Sequence, residues 1–208
     1  MSVFGFVQAG GGSTRFGTDK ALAEFAGKTM LERTVELVAS VCGETIIVAP
    51  AGKYANAPAP VLADRWPGQG PLGGIATALH HVNQQVQGPA GARGHALIVS
   101  CDMPFLTEDW LEYLCERSLK SEAQVVVPES GSGWEPLCAC WRTDAEATIQ
   151  AAFDGGTRKV TEAMKRLPME VLDESVWKRF DTDGRLFWNM NTPEDYEEAR
   201  RVIEEKAG

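Results

Sequence analysis

The chain has no run of about 18 apolar residues, the length a helix needs to cross a bilayer, so a membrane-spanning helix is not expected. Its opening residues, Met1-Ser2-Val3-Phe4-Gly5-Phe6, lack the basic segment and extended apolar stretch of a secretory signal. Cysteine is sparse and unpatterned: Cys42, Cys101, Cys115, Cys138 and Cys140 are odd in number and include no CxxC pair. That spacing argues against a disulfide framework or a zinc site, and the five thiols read as small buried apolar groups in a cytoplasmic protein. His80, His81 and His95 carry no metal-ligand spacing, and the adjacent pair reads as helix surface. Basic residues are outnumbered 29 to 20, for a net charge of −9. A net polyanion has no general attraction for a phosphate backbone or anionic lipid, which excludes nucleic acid and membrane as partners. The six tryptophans show no spacing suited to base stacking. A small phosphorylated ligand, held by a local pocket, remains compatible with the charge. Repeats, low-complexity tracts and linkers are missing too, so the 208 residues are expected to form a single domain.

What is present is an alternation of short β-branched runs and longer helical stretches. Strands are expected over 3–9, 45–49, 61–63, 95–100, 124–127, 137–141 and 169–172. Helices are expected over 30–41, about 74–87, 108–118, 144–153 and 157–167, and from Pro193 onward, where Thr192, Pro193 and Asp195 form a capping signal. Segment 88–94, rich in Gly, Pro and Ala, reads as an exposed connection. Strands without polar alternation, interleaved with helices, imply a three-layer α/β/α Rossmann-like fold with a mostly parallel central sheet. Ligands of such sheets bind at the carboxyl ends of the strands. Three loops fall there: 10–20, 64–74 and 102–105.

The first loop is Ala9-Gly10-Gly11-Gly12-Ser13-Thr14-Arg15-Phe16-Gly17-Thr18-Asp19-Lys20. Consecutive glycines let backbone N–H groups converge on an anion and let the backbone approach a ligand. Arg15 adds a forked cation and Lys20 a point charge, both suited to an oligophosphate. A Walker A loop requires Lys-Ser/Thr directly after its second Gly, but Thr18-Asp19-Lys20 follows Gly17. A dinucleotide fingerprint requires Gly where Arg15 stands and an acidic residue where Ala49-Pro50 ends the next strand, which disfavours an NAD(P)-dependent oxidoreductase. The plainer alternative is a glycine-rich turn with a surface Arg and Lys. In the second loop, Asp64-Arg65-Trp66-Pro67-Gly68-Gln69-Gly70-Pro71-Leu72-Gly73-Gly74-Ile75, Gly70 and Gly73 permit close approach to a nucleoside and Gly74 opens a helix with unsatisfied N–H groups. The alternative is a turn with a solvated Asp64. In the third, Cys101-Asp102-Met103-Pro104, a carboxylate at the end of a central strand is placed to hold Mg²⁺ against phosphate oxygens. Its alternative, a cap for the helix near Thr107, is opposed by the intervening Pro104 and Phe105.

With these residues in view, Gly-Gly-x-Ser-x-Arg-Phe-Gly-x-Asp-Lys after a first strand resembles the signature loop of nucleotidyltransferases that attach NMP to small phosphorylated acceptors. Within them it most resembles the molybdenum cofactor guanylyltransferases of the MobA type. The second loop resembles that family's acidic residue followed by Gly-Pro-Leu-x-Gly-Ile, and the third its Cys-Asp-x-Pro. Trp134-Glu135-Pro136-Leu137-Cys138-Ala139 resembles its x-Pro-Leu-x-Ala, Gly156-Thr157-Arg158-Lys159 its Gly-x-Arg-Lys, and Asn189-Met190-Asn191-Thr192-Pro193-Glu194-Asp195 its Asn-x-Asn-Thr-Pro-x-Asp. The likeness runs in order from Ala9 to Asp195. Two positions depart: Gln8, where Leu is usual, and Glu135, where Gln or His is common. A carboxylate beside a phosphorylated acceptor is unhelpful, so Glu135 is expected to point elsewhere.

The resemblance implies a nucleotidyltransferase fold, with the nucleotide half at about 1–105 and the acceptor half at about 106–208. It implies Arg15, Lys20 and Asp102 as catalytic residues, and Ala9, Gly10, Gly11, Gly12, Lys20, Asp64, Gly70 and Asp102 as nucleotide contacts. Asp102 would carry Mg²⁺, and Arg158, Lys159, Asn189 and Asn191 would hold the acceptor. Two adjacent cations at a helix start oppose the macrodipole, which favours a phosphate-binding purpose for Arg158 and Lys159 over a decorative one. Asn191 also suits a simple turn, while Asn189 and Asn191 share a face if extended and can hydrogen-bond a pterin or a metal-bound water. The implied reaction transfers GMP from GTP to the phosphate of molybdopterin (Mo-molybdopterin) and releases pyrophosphate. A monomer is expected, with other molybdenum cofactor biosynthesis proteins as further partners. The alternatives are a related Mg²⁺-dependent cytidylyltransferase, or an NTP transferase with another acceptor. A non-catalytic nucleotide-binding regulator is opposed by the joint presence of Arg15, Lys20 and Asp102.

Overall fold

The apolar runs assemble in chain order as the periodicity suggests, in a computed structural model that describes residues 3–9, 19–86 and 93–207. After β1 (Val3–Gln8), a short hairpin of β2 (Glu24–Phe25) and β3 (Lys28–Thr29) leads into α1 (Met30–Val41). Then come β4 (Glu44–Ala49), β5 (Val61–Ala63), α2 (Pro71–Gln85), β6 (His95–Ser100) and α3 (Glu108–Lys120). The second half holds β7 (Val125–Ser130), β8 (Gly133–Trp134), β9 (Cys138–Arg142), α4 (Glu146–Asp154), α5 (Val160–Met164), β10 (Met169–Leu172), α6 (Glu174–Trp177) and α7 (Pro193–Ala207).

One sheet runs in the order β10-β7-β9-β6-β1-β4-β5, with β8 hydrogen-bonded to β7. Along that path all pairs are parallel except those of β9, which is antiparallel to both β6 and β7. β1 is paired on both sides, Phe6 opposite Ile46 and Ile98, so its side chains have only the two sheet faces to fill. On one face Val7, Ile47, Leu97 and Val99 pack with Leu31, Val35 and Val38 of α1 and with Trp110, Leu111 and Leu114 of α3. On the other, Phe6, Ile46, Val48 and Ile98 pack with α2, α4 and α5 through Ile75, Leu79, Ile149 and Met164. The sheet is thereby covered on both sides, the three-layer α/β/α arrangement. A third apolar group joins Phe25, Met30, Met190, Ala199 and Ile203, and ties the start of the chain to its last helix.

Local chemistry sets the helix ends. Thr29 and Glu32 form a capping box at the start of α1: Thr29 Oγ1 accepts from Glu32 N at 3.2 Å and Glu32 Oε2 from Thr29 N at 2.7 Å. Helix α2 begins at Pro71 rather than Gly74, because Gly70 adopts a φ of +88° and Pro71 supplies a preset first turn that needs no N–H. The helix expected over 157–167 is confined to Val160–Met164, since Gly156 at φ +88° ends the preceding helical path and residues 157–159 cross over as a connection. Of the adjacent histidines, His80 meets Glu146 at 2.8 Å at the surface. His81 corrects the surface reading: its ring lies edge-on to Phe6 of the sheet, 6.1 Å between centroids, with a buried Nε2. All five cysteines are free and four are buried, as their spacing implied. Among the described residues no helix is long and apolar enough to cross a membrane.

Gly5 is the point of closest approach between α1 and β1. A Cβ there would fall 2.4 Å from Val38 Cγ1 and 3.1 Å from Cys42 Cβ. Overpacking of a filled core costs about 1–3 kcal/mol, so Gly5→Ala is expected to lower the urea midpoint accordingly with an unchanged m-value. A midpoint equal to the parent's would show that α1 shifts freely off the strand.

Candidate active site

β6 and β4 flank β1 on opposite sides, so the chain reverses its direction of travel across the sheet at β1, and a crevice opens at the carboxyl ends of the strands. It is a cleft of about 390 Å³ whose walls include Gln8, Ala9, Asp64, Gly70, Gly74 and Asp102. Residues of the second and third loops therefore meet the end of β1, where the first loop begins, at one place. Gly10, Gly11, Gly12 and Arg15 lie outside the described residues.

Asp102 follows the last residue of β6 by two. The chain turns at 101–102, and Ser100 Oγ donates to Asp102 Oδ1 at 2.5 Å across that turn. The backbone carbonyl of Asp102 accepts from Met190 N at 2.9 Å. Asp102 caps no helix; Thr107 does so for α3, accepting from Trp110 N at 3.4 Å. Asp102 Oδ2 has no partner among the described residues. No three His, Cys, Asp or Glu among the described residues converge as a metal cage. Mg²⁺ usually uses one or two carboxylates and completes its shell with water and substrate phosphate. An oriented carboxylate with one open oxygen is a donor of that kind, so the residues present fit the ion.

Asp64 is oriented rather than merely solvated. Its Oδ1 accepts from Trp66 N at 2.9 Å and lies 3.3 Å from the Thr77 hydroxyl, which itself donates to Gly73 O at 2.9 Å. Gln8 spans from β1 to the first turn of α2, donating from Nε2 to Pro71 O at 3.2 Å. Its carboxamide lies so close to Gly74 that a Cβ there would sit 2.4 Å from Nε2, which gives Gly74 a packing reason beside any ligand-binding one.

Lys20 opens a single 3-10 turn, Lys20–Leu22. Its ammonium donates to Met190 O at 2.7 Å and to Asn191 Oδ1 at 3.0 Å, both acceptors neutral. The 190–192 segment is pinned in turn by Asp195, whose Oδ2 accepts from Asn191 N at 2.7 Å and Thr192 N at 2.8 Å, while Thr192 Oγ1 accepts from Asp195 N at 3.1 Å. Burial pushes the Asp195 carboxyl up, but these N–H donors, the Thr192 hydroxyl and the Lys20 charge outweigh it and hold the group below its ordinary value. Asn189 does not join Lys20; its Nδ2 donates to Phe187 O at 3.1 Å.

Arg158 and Lys159 stand apart from this network and are exposed. Arg158 lies over the Phe153 ring at 4.0 Å, and Phe153 packs on Trp66 at 4.9 Å, so the guanidinium borders the second loop. Its Nε donates to Gln69 Oε1 at 3.0 Å and its Nη1 to Phe153 O at 2.7 Å and Thr157 O at 3.0 Å. The two cations do not share one helix start. Arg158 lies at the C-terminal end of α4, where a cation is favourable, and only Lys159 caps the start of α5. The Nη2 edge of Arg158 has no partner among the described residues and is open to an anion. Glu135 points inward, 8% exposed, with Oε1 accepting from Ser130 Oγ at 2.6 Å. Burial pushes its carboxyl up, the Ser130 bond offsets part of that, and the Asp102 charge adds to it.

Sequence reasoning passed over Ser100, which donates to Asp102, and Thr77, which ties the loop beside Asp64 to α2 by accepting from Arg65 N at 3.2 Å. A hydroxyl two residues before an Asp at a strand end was an available signal for the first, since Ser and Asp favour local hydrogen bonds at turns; the second becomes a neighbour only once the loop folds back on α2. Replacing Asp195 with Ala is expected to lower stability by about 1 kcal/mol at neutral pH, the usual size of a lost helix cap. A carboxyl held below its ordinary value contributes stability above that value and loses it as pH falls through its folded pKa. The gap between variant and parent in urea melts should therefore close on acidification. A gap independent of pH would show that the carboxylate charge does not hold the segment.

Residues 5–168 match the MobA-like NTP transferase domain. Over 209 aligned residues the chain is 32% identical to the molybdenum cofactor guanylyltransferase of Desulfosudis oleivorans, covering 100% of this chain and 98% of that one. It is 28% identical over 196 residues to the molybdenum cofactor guanylyltransferase of Syntrophotalea carbinolica, covering 94% and 89%. The crystal structure of molybdopterin-guanine dinucleotide biosynthesis protein A from Archaeoglobus fulgidus superposes with a TM-score of 0.83 at 25% identity, covering 98% of this chain and 100% of that one. The fold, the cleft at the ends of β1 and β6, and these likenesses lead to one conclusion: the chain belongs to the MobA-like NTP transferase domain family and is a nucleotidyltransferase.

Proposed function

We propose that the protein transfers GMP from GTP to the terminal phosphate of molybdopterin (Mo-molybdopterin), releasing pyrophosphate and forming the guanine dinucleotide. The observation that carries this reading is the contact of Lys20 with Met190 and Asn191. On this reading the contact joins a cation that would bind phosphate to the Asn-x-Asn segment that would hold the acceptor, beside Asp102, whose carbonyl accepts from Met190 N. The relatives' names supply guanine and the molybdenum cofactor as the two substrates.

In this account the base and ribose lie along Asp64, Gly70 and the backbone at Ala9, with the glycines at 10–12 around the phosphates. A phosphate oxygen of the acceptor attacks the α-phosphorus in line. The new P–O bond forms as the bond from the α-phosphorus to the bridging oxygen breaks, and the electron pair leaves with pyrophosphate. A phosphate monoester is already largely ionised near neutral pH, so no dedicated base is required. Lys20 spends two of its three N–H protons on neutral acceptors and keeps one, together with its full charge, for the substrate phosphates. Arg15 would add a second cation from the first loop. Mg²⁺, held by Asp102, would supply further positive charge to the transferring and leaving phosphates. Arg158 through Nη2, Lys159, Asn189 and Asn191 would orient the acceptor. In this account the nucleotide half, about 1–105, contributes Lys20 and Asp102, and the acceptor half, about 106–208, contributes the segment that meets both.

Two measurements test the reading. Incubated with Mg²⁺, molybdopterin and each NTP in turn, the protein is expected to release pyrophosphate and form a dinucleotide with GTP. Turnover with CTP in its place would replace the guanylyl assignment by a cytidylyl one. Asp102→Ala is expected to lower metal-dependent turnover by about 100-fold or more while leaving the thermal midpoint close to the parent's. Unchanged turnover would remove Asp102 from the mechanism.

A further inference from the structure

Lys20 has an anion for a sequence neighbour. An ionised Asp19 could claim the ammonium as an ion pair and repel an incoming triphosphate, a double handicap in a chain of net charge −9. The structure turns the two side chains apart. Lys20 Nζ goes to Met190 O and Asn191 Oδ1, at 2.7 and 3.0 Å. The Asp19 carboxylate goes to the connection between β4 and β5. There its Oδ2 lies 2.8 Å from Lys53 Nζ and accepts the Tyr54 hydroxyl at 2.8 Å, while Oδ1 accepts from Ala21 N at 3.1 Å.

The connection is shaped for this contact. A turn closes from Lys53 N to Pro50 O at 3.1 Å, and Tyr54 holds a φ of +60°, a left-handed conformation that side chains other than Gly, Asn and Asp rarely adopt. The result is two donors from adjacent residues on one carboxylate oxygen. Burial pushes the Asp19 carboxyl up, but the Lys53 and Tyr54 hydrogen bonds, the Ala21 N–H and the Lys53 charge together hold it below its ordinary value. The Tyr54 phenol is pushed well above its own, by burial first and then by Asp19, so it remains a donor.

We propose that Lys53, oriented by Tyr54, is a positioning residue for nucleotide binding: it is the counter-ion that neutralises Asp19 and so leaves the charge of Lys20 to the triphosphate. The inference rests on the nucleotidyltransferase reading of the cleft and adds to it two residues that belong to none of the signature loops. Lys53 need not touch the substrate. Its contribution is the cancellation of an adjacent negative charge, and charge can be restored or removed independently of shape.

The experiment is a charge cycle, read by calorimetric binding of GTP and, in parallel, of inorganic triphosphate. Lys53→Met leaves Asp19 uncompensated and is expected to weaken both ligands about tenfold, whereas Lys53→Arg keeps the ion pair and stays within about twofold of the parent. Asp19→Asn preserves the cap to Ala21 N, since Asn also accepts there. In the double variant Asp19→Asn/Lys53→Met no unpaired carboxylate remains, and affinity is expected to return to within about threefold of the parent. In turnover assays the Lys53→Met defect should appear in the KM for GTP, with kcat close to the parent's. Parent-like binding by Lys53→Met, or a double variant as weak as Lys53→Met alone, overturns the proposal, the second outcome showing that the contact is only structural. Parental binding of triphosphate without GTP overturns the guanylyl reading while the cycle still decides the role of Lys53. Binding of neither ligand overturns both.

Discussion

On the proposed function a single ammonium, that of Lys20, has to be held in place without being neutralised, and the arrangement around it can be read from that constraint. Lys20 is fixed by a backbone carbonyl and a side-chain amide that lie 170 and 171 residues further along the chain. Both hydrogen-bond acceptors are uncharged, and the carboxylate that feels the ion's charge, Asp195, is itself held by the N–H groups of Asn191 and Thr192. Holding them goes with a 190–192 segment that sits against Asp102, just past the end of β6. Met190 meets the need twice, through its N–H on Asp102 O and through a side chain buried with Phe25, Met30, Ala199 and Ile203. Asp195 completes the arrangement by clamping the backbone at Asn191 and Thr192. Core packing, a helix cap and the site share the same few residues.

The same constraint explains how a chain with 29 acidic residues can accept a polyanion. The carboxylates nearest the cleft are each given something to do. Asp102 is turned by Ser100, Asp64 is held by Trp66 N, and Glu135 is drawn inward by Ser130. Asp19 faces Lys53 and Tyr54. On the proposed account, attraction for the nucleotide then comes from local cations and a metal ion, and not from the field of the whole molecule.

Much of this was legible before folding. The elements 30–41, 61–63, 95–100 and 169–172 were placed to the residue, the first by the helical spacing of its apolar residues and the others as short, largely apolar runs. The two-residue strands β2, β3 and β8 and the four-residue α6 were not, since nothing that short shows a period. That 9, 64, 70 and 102 line one cleft followed from loop position in a parallel sheet. The setting of Arg158 did not follow: its place depends on where α4 ends, and a cation misread as opposing one helix in fact serves the end of another. The partners of Asp19 were invisible for a different reason. Lys53 and Tyr54 reach it through a backbone conformation at φ +60° that no sequence pattern announces.

The central claim is that the triphosphate lies between Lys20 and Asp102, at the seam where the last segment of the chain returns to the first. A crystal structure with Mg²⁺ and a non-hydrolysable GTP analogue tests it most directly. The account predicts phosphate oxygens within hydrogen-bonding distance of Lys20 Nζ, a metal ion on Asp102 and the base beside Asp64. A nucleotide seated elsewhere, in the hollow bordered by Gly52, Ala57 and Val61 for example, with Lys20 still facing only Met190 and Asn191, would contradict it.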